Sequence, residues 1–198
     1  MLPRLVLGFG HRRRRGKDLS CRLAAELLAG LDVPCRVDHF ARSLKEGVKA
    51  IFGLTEDQVN GDAKFTPDPF WQDTPRRILQ LVGTECMRNG YDKQIWARTL
   101  ERRALADPKT SVVIGDVRFP NEVAAIHRLG GFVVRVDRDV PARPEEDNHL
   151  SETALADYDG WDHVITNDGD VKDLWRKVRD VIGLCRPEYW RALEAQAR

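Results

Sequence analysis

Between Gly8 and Ser20 the chain reads GFGHRRRRGKDLS, directly behind a short apolar run. A phosphate-cradling loop normally reads Gly, four residues, Gly-Lys and then Ser or Thr. In this chain five residues separate Gly10 from Gly16, four of them arginines, and Asp18 follows Lys17. Strand, glycine turn, Gly-Lys and helix are what such a cradle needs. Backbone N–H groups converge at the helix N-terminus, and the lysine reaches the outer phosphates. Like charges this close repel by about 1 kcal/mol per pair at 4 Å in water, and a polyanion among them reverses the sign. Arginines near a transferring phosphoryl group also stabilise its charge. The competing reading is a solvated basic turn, or a nucleic-acid-binding tract from His11 to Arg15.

The surrounding pattern supplies elements that could position this loop. Arg4 to Phe9 reads as a buried strand, and Leu19 to Leu28 has apolar residues at helical spacing. Cys35–Phe40 predicts a second strand and Ala41–Phe52 a helix. The stretch from Gly61 to Asp73, with Pro67 and Pro69, predicts a loop. Asp73-Thr74-Pro75 predicts a helix start, with the helix running to about Arg88, and another helix covers about Lys93 to Ala106. Ser111–Asp116 is the clearest buried strand. Helix Asn121–Leu129, strand Phe132–Val136, a polar loop Arg138–Asn148, strand His163–Asn167 and C-terminal helices follow. Strands alternating with helices imply an α/β three-layer sandwich, about five mostly parallel strands with helices on both faces, in one domain over residues 1–198.

Composition narrows the function classes. Lys+Arg of 32 against Asp+Glu of 31 leaves a net charge of +1, so bulk attraction to nucleic acid is not expected and any basic site is local. The four cysteines (Cys21, Cys35, Cys86, Cys185) form no C-x-x-C pair, which disfavours a metal site or disulfide framework and fits reduced thiols in cytoplasm. No stretch approaches the roughly 20 apolar residues of a membrane span, and the N-terminal apolar run is too short for a signal peptide. A soluble cytoplasmic protein is therefore expected.

VIGDVRFPNEVAAIHRLGGFVVRV, from Val113 onward, resembles the phage-type deoxynucleoside monophosphate kinases. Three further blocks fit in the same order: the loop's GKD, then TPRRILQLVGTE (Thr74–Glu85) followed by Ile95-Trp96, then DNHLSE (Asp147–Glu152) followed by VITNDG (Val164–Gly169). Two departures stand out. The loop is one residue longer than the family's GxxxxGKD, and Leu19 replaces the threonine after GKD.

The resemblance implies a P-loop kinase that moves the γ-phosphate of ATP to a deoxynucleoside monophosphate, with Mg²⁺, in the host cytoplasm if phage-encoded. It leaves room for a homodimer. Gly10, His11, Arg12, Arg13, Arg14, Arg15, Gly16, Lys17, Asp18 and Leu19 then form the ATP loop. Lys17, Asp116 and Arg118 are the catalytic candidates. Asp116, at a strand's C-terminal end where parallel sheets bind ligands, either serves Mg²⁺ or orients the acceptor. Asp18 or that same Asp116 replaces the missing hydroxyl as metal partner. Arg118 can grip a phosphate as a bidentate donor. Glu122 is either a helix cap or a contact to the substrate nucleoside, and the resemblance favours contact. The family's motif places Arg76, Gln80 and Gly83 in the acceptor pocket, with Arg88 further along the same helix. Trp96 is either core or an aromatic wall for the base. Asp38, Phe40 and Lys45 sit where acceptor-site residues of such kinases occur. Residues 138–152 read as a lid, with Arg138 and Arg143 able to reach phosphates. His149 and Ser151 are not a hydrolase pair, since no G-x-S-x-G elbow exists. A different small-molecule P-loop kinase is the remaining enzymatic alternative.

Overall fold

The computed structural model describes residues 2–11, 14–139 and 153–196. Residues 1–39 with 101–198 form one compact unit and residues 40–100 a second.

The first unit is built on five parallel strands: β1 Val6–Gly10, β2 Cys35–Asp38, β3 Ser111–Val117, β4 Phe132–Asp137 and β5 His163–Thr166, in the order β2-β3-β1-β4-β5. Central β1 is buried at every position, as a strand covered on both faces must be. Its neighbours run Leu7 beside Val113 on one side and Phe132 on the other. Helix α1 (Lys17–Gly30) packs Leu23, Ala24, Leu27 and Leu28 into a core with Leu7, Phe9 and Val113. The C-terminal helices Val171–Cys185 and Pro187–Gln196 (α7 and α8 below) close the same core through Leu174, Val178, Ile182 and Tyr189. Asp170 caps the first of them by accepting from Asp173 N.

One irregularity bears on function. β1 and β3 pair in step from Val6/Val112 to Gly8/Ile114, but Gly10 then faces Val117. Two residues of advance on β1 match three on β3, so β3 carries an extra residue at Gly115–Asp116. Bulges of this kind re-aim side chains beside active sites. Asp116 is half-buried between buried Gly115 and Val117.

The second unit is helical. It holds α2 (Arg42–Phe52), α3 (Glu56–Asn60), a single 3₁₀ turn Asp62–Phe65, α4 (Pro75–Gln80) and the first part of α5 (Ile95–Ala106). Val48, Leu54, Val59 and Ile78 form its core. Thr55 and Gln58 make a reciprocal capping box that starts α3, a helix the sequence pattern does not suggest. The 3₁₀ turn likewise falls inside the expected loop. Thr74 caps α4 ahead of Pro75, as the sequence predicts. Beyond Gln80, however, residues Leu81–Asn89 wind as a π-helix. Gly90 N reaches Glu85 O, and Asp92 N reaches Met87 O, five residues back. An α-helical face joining Arg77, Gln80, Thr84 and Arg88 therefore does not persist, because the wider turns rotate the later members away from 3.6-residue spacing.

In the first unit the phenol of Tyr189, fully buried, donates to Pro3 O at 2.6 Å, and Ser111 Oγ accepts from Leu5 N at 3.0 Å. These bonds tie α8 and the start of β3 to the segment leading into β1. Tyr189→Phe should lower unfolding free energy by about 0.5–1.5 kcal/mol with the denaturant slope unchanged, as read by urea titration.

Candidate active site

The loop after β1 lies at the C-terminal edge of the sheet, between strands whose connections leave in opposite directions. Open parallel sheets bind ligands at such crevices. Three of its residues take left-handed backbone angles: His11 (φ 92°), Arg14 (φ 62°) and Gly16 (φ 99°). Glycine adopts that region at no steric cost, whereas His and Arg pay in strain. A Cβ on Gly16 would also lie 2.3 Å from Asn167 Nδ2, so glycine is needed there twice over.

Lys17 opens α1 and is buried, only 7% exposed. Its Nζ donates to His11 O at 2.8 Å, spanning the loop. No side chain caps α1. The first-turn N–H groups of this helix, together with its dipole, make a positive end suited to an anion. Ser20 Oγ donates to Gly16 O, not outward. Leu19 is half-buried behind the loop and packs against the core. Arg14 is exposed, and Arg15 has a buried Nε without a hydrogen-bond partner among the described residues. Arg12 and Arg13 lie outside the described residues, as do Arg143, His149, Ser151, Glu152 and the rest of residues 140–152.

Asp18 and Asp116 both lie near enough to Cys21 for their charges to act on its thiol. A Cβ on Gly115 would sit 3.6 Å from Asp18 Oδ1, 3.4 Å from His39 Cε1 and 3.0 Å from Cys21 Sγ. His39 Nδ1 is 3.8 Å from Asp116 Oδ1. Burial, then the charges of Asp18 and Asp116, push the Cys21 thiol well above its usual range, so it stays a neutral wall of this pocket. Among the described residues no group of three His, Cys, Asp or Glu side chains is placed to hold a metal ion; the carboxylates of Asp18 and Asp116 are the hard oxygen donors here of the kind a magnesium ion with retained waters accepts.

Beside the loop, His11, Arg15, Arg135, Asp137, Arg138 and Thr166 border a cleft of about 410 Å³ at the ends of β4 and β5. That volume falls in the range of small-molecule sites. Arg138, expected in a lid, is exposed at this rim. Asn167, just past β5, is buried and donates from Nδ2 to Arg15 O at 2.9 Å.

The remaining expected site residues fall into place as follows. Asp38 is fully buried, and its carboxylate accepts from Arg103 at 2.9 and 3.1 Å and from His39 N at 2.8 Å. That is the placement of a structural ion pair. Glu122, 3% exposed, accepts from Arg118 N at 2.8 Å and Phe119 N at 3.1 Å, so its carboxylate caps α6 (Pro120–Arg128). In doing so it fixes the backbone that carries half-buried Arg118. In the helical unit, Phe40 is buried and Lys45 Nζ donates to Asn60 Oδ1. Arg76 lies over the Phe65 ring, 5.5 Å from its centroid. Gln80 and Arg88 are half-buried. Gly83 packs on Leu44, since a Cβ there would meet Leu44 Cδ2 at 2.6 Å. Trp96 is buried, and its indole N–H donates to Gly83 O at 2.9 Å.

Sequence reasoning passes over His39, Asp137, Asn167 and Trp161. Each but Trp161 is a polar residue at or just past a parallel strand's C-terminal end, and that position alone is a signal. A Cβ on Gly10 would meet the Trp161 ring at 2.6 Å, a packing relation with no local sequence signature.

A buried lysine in a left-handed loop, leading into an uncapped helix on an all-parallel sheet, defines a P-loop phosphotransferase. Residues 54–178 match the deoxynucleotide monophosphate kinase family. A protein of Acanthamoeba polyphaga mimivirus, named for that activity, is 33% identical over 156 residues, which cover 70% of this chain and 78% of that one. The deoxynucleotide monophosphate kinase of Enterobacteria phage T4 is 30% identical over 110 residues, 54% of this chain and 44% of that one. The deoxynucleoside-5'-monophosphate kinase of Escherichia phage T5 is 49% identical over 49 residues, 25% of this chain and 20% of that one. The chain belongs to the deoxynucleotide monophosphate kinase family, and it is a kinase acting on small molecules. No helix among the described residues is long and apolar enough to cross a membrane.

Arg103→Ala removes two hydrogen bonds from the fully buried Asp38 carboxylate and leaves it Arg36 Nε at 3.8 Å and the His39 amide. We expect a loss of about 3–5 kcal/mol in unfolding free energy. The Asp38→Asn/Arg103→Ala double variant should recover part of it, as measured by chemical denaturation.

Proposed function

We propose that this kinase transfers the γ-phosphoryl group of ATP to a deoxynucleoside monophosphate, yielding ADP and the diphosphate. The observation that carries this reading is the buried Lys17 ammonium at the mouth of an uncapped helix. A cation there faces the positive end of the helix dipole, and a bound polyanion relieves both costs at once. The loop amides and Lys17 bind the β- and γ-phosphates of the donor. Arg15, whose Nε lacks a partner among the described residues, adds charge on the same anion. The neighbouring cleft accommodates the donor's nucleoside.

Phosphoryl transfer needs positioning and charge stabilisation more than covalent help. An acceptor phosphate oxygen attacks the γ-phosphorus as the bond to the β–γ bridging oxygen breaks, and ADP leaves with that electron pair. Lys17 neutralises charge on the transferring group. Arg118, held by Glu122 through the backbone, orients the acceptor phosphate. The resemblance of the TPRRxLQ block supports a nucleotide-binding role for Arg76 and Gln80. Asp18 and Asp116 would hold Mg²⁺ in place of the usual loop hydroxyl. When bound, such an ion would supply charge neutralisation for the donor's phosphates.

Lys17→Ala should reduce ADP formation from ATP and deoxynucleoside monophosphates by at least about 10³-fold, the scale at which one decisive cation acts. Its thermal midpoint should stay close to that of the wild type. A coupled ADP assay over a panel of deoxy- and ribonucleoside monophosphates reads this directly. Turnover retained in the lysine variant would overturn the assignment.

A further inference from the structure

The loop is one residue longer than its family's pattern, and two of its non-glycine residues sit in left-handed conformations. Something must hold that shape. Asp137, the last residue of β4, reaches both ways. Its Oδ1 lies 2.7 Å from His11 Nδ1, and its Oδ2 lies 2.7 Å from Arg135 Nε. Both are close charge contacts, not aligned hydrogen bonds. The His11 side chain is 8% exposed and that of Asp137 27%, so the pair is well shielded from solvent. His11 is also the residue whose carbonyl receives Lys17 Nζ. On its far side the His11 ring meets Trp161 edge-on, with centroids 6.4 Å apart. The other end of the loop is anchored from the adjoining strand. Asn167 Nδ2 donates to Arg15 O, and Asn167 N donates to Asp137 O at 2.6 Å.

We propose that Asp137 is a positioning residue for the donor loop. Through His11 it fixes the extended turn in the shape that presents Lys17 and the loop amides to the donor's phosphates. The chain's two peculiarities, the added loop residue and the histidine that opens it, are then one device. The side chain that follows Gly10 is clamped to the end of β4, on the same residue whose carbonyl receives Lys17 Nζ. The charge relations agree. Arg135 and Arg15 border the same cleft as Asp137, and the carboxylate sets His11 and Arg135 in fixed positions at its two oxygens. This inference rests on the proposed reading of the loop as the ATP site.

The test is a double-mutant cycle on the full-length protein with His11→Ala, Asp137→Ala and the pair, with Asp137→Asn as a charge-only variant. KM for ATP, KM for the deoxynucleoside monophosphate and kcat are measured alongside thermal midpoints. Binding of a non-hydrolysable ATP analogue is read by calorimetry. Each single variant should raise KM for ATP and the analogue Kd by about 10-fold to 100-fold, the scale of a misplaced binding group. The acceptor KM and the melting midpoint should barely move. In the His11→Ala background, removing Asp137 should add little further, because both act through one contact. Independent, multiplying effects would mean that Asp137 meets the nucleotide itself, and would overturn the inference. So would an Asp137→Ala or Asp137→Asn protein with wild-type affinity for the analogue. A wild type that binds the analogue but phosphorylates no nucleoside monophosphate would fail the kinase reading instead, leaving the loop comparison intact.

Discussion

The site is governed by one unfavourable charge placement. Lys17 is buried, and it stands in the first turn of α1, where the helix dipole is positive. A lysine in that position costs free energy through desolvation and through its sign. The His11 carbonyl accepts its ammonium across the loop, and Asp18 follows in sequence. Neither removes the net positive field at the loop mouth, which the arginine-rich sequence enlarges. The fold tolerates this because the strain is local while the sheet beneath is apolar and close-packed. A bound anion would offset that charge, and on the proposed reading the donor's phosphates supply it.

That arrangement requires an inflexible floor. The five strands place their C-terminal ends in one row, and polar residues cluster there: Asp38 ending β2 and His39 just past it, Asp116 in the β3 bulge, Asp137 ending β4, Asn167 after β5. Their tasks differ although their positions are alike. Asp38 is spent on Arg103, a buried pair that fixes the end of β2. Asp137 and Asn167 hold the loop. Asp116 sits in the bulge, where β3 carries an extra residue. Without the bulge, the pleat would give Asp116 a different orientation beside β1.

Much of the fold was legible in the sequence. The five strands were visible as short apolar runs bounded by turns, and their alternation with helices correctly implied a parallel sheet. The glycine-lysine turn was legible as well, since strand, turn and helix are local patterns. Short α3 was not, because a five-residue helix has too little periodicity and depends on the Thr55–Gln58 box. The π-helical stretch was also hidden. Its residues carry ordinary helical propensity, and its winding reflects contacts such as Gly83 against Leu44 and Trp96, which adjoin only in three dimensions. The loop's supports escaped for the same reason: His11 and Asp137 are far apart in sequence, and nothing local couples them.

The same distinction bears on how the family resemblance should be used. A motif match such as DVRFPNE identifies a constellation without ranking its members. Within that block Asp116 sits in the β3 bulge, Arg118 is half-buried beside it, and Glu122 is turned inward onto two backbone N–H groups. All three are charged and closely spaced, yet Glu122 is consumed in shaping the chain that presents Arg118, whereas Asp116 stands 3.8 Å from His39 Nδ1. Glu122 acts on chemistry through geometry, much as Asp137 acts on Lys17 through His11. Glu122, buried, and Asp137, half-buried, share a physical pattern: each is a carboxylate set against backbone N–H groups or neighbouring ring and guanidinium nitrogens, which it holds in place.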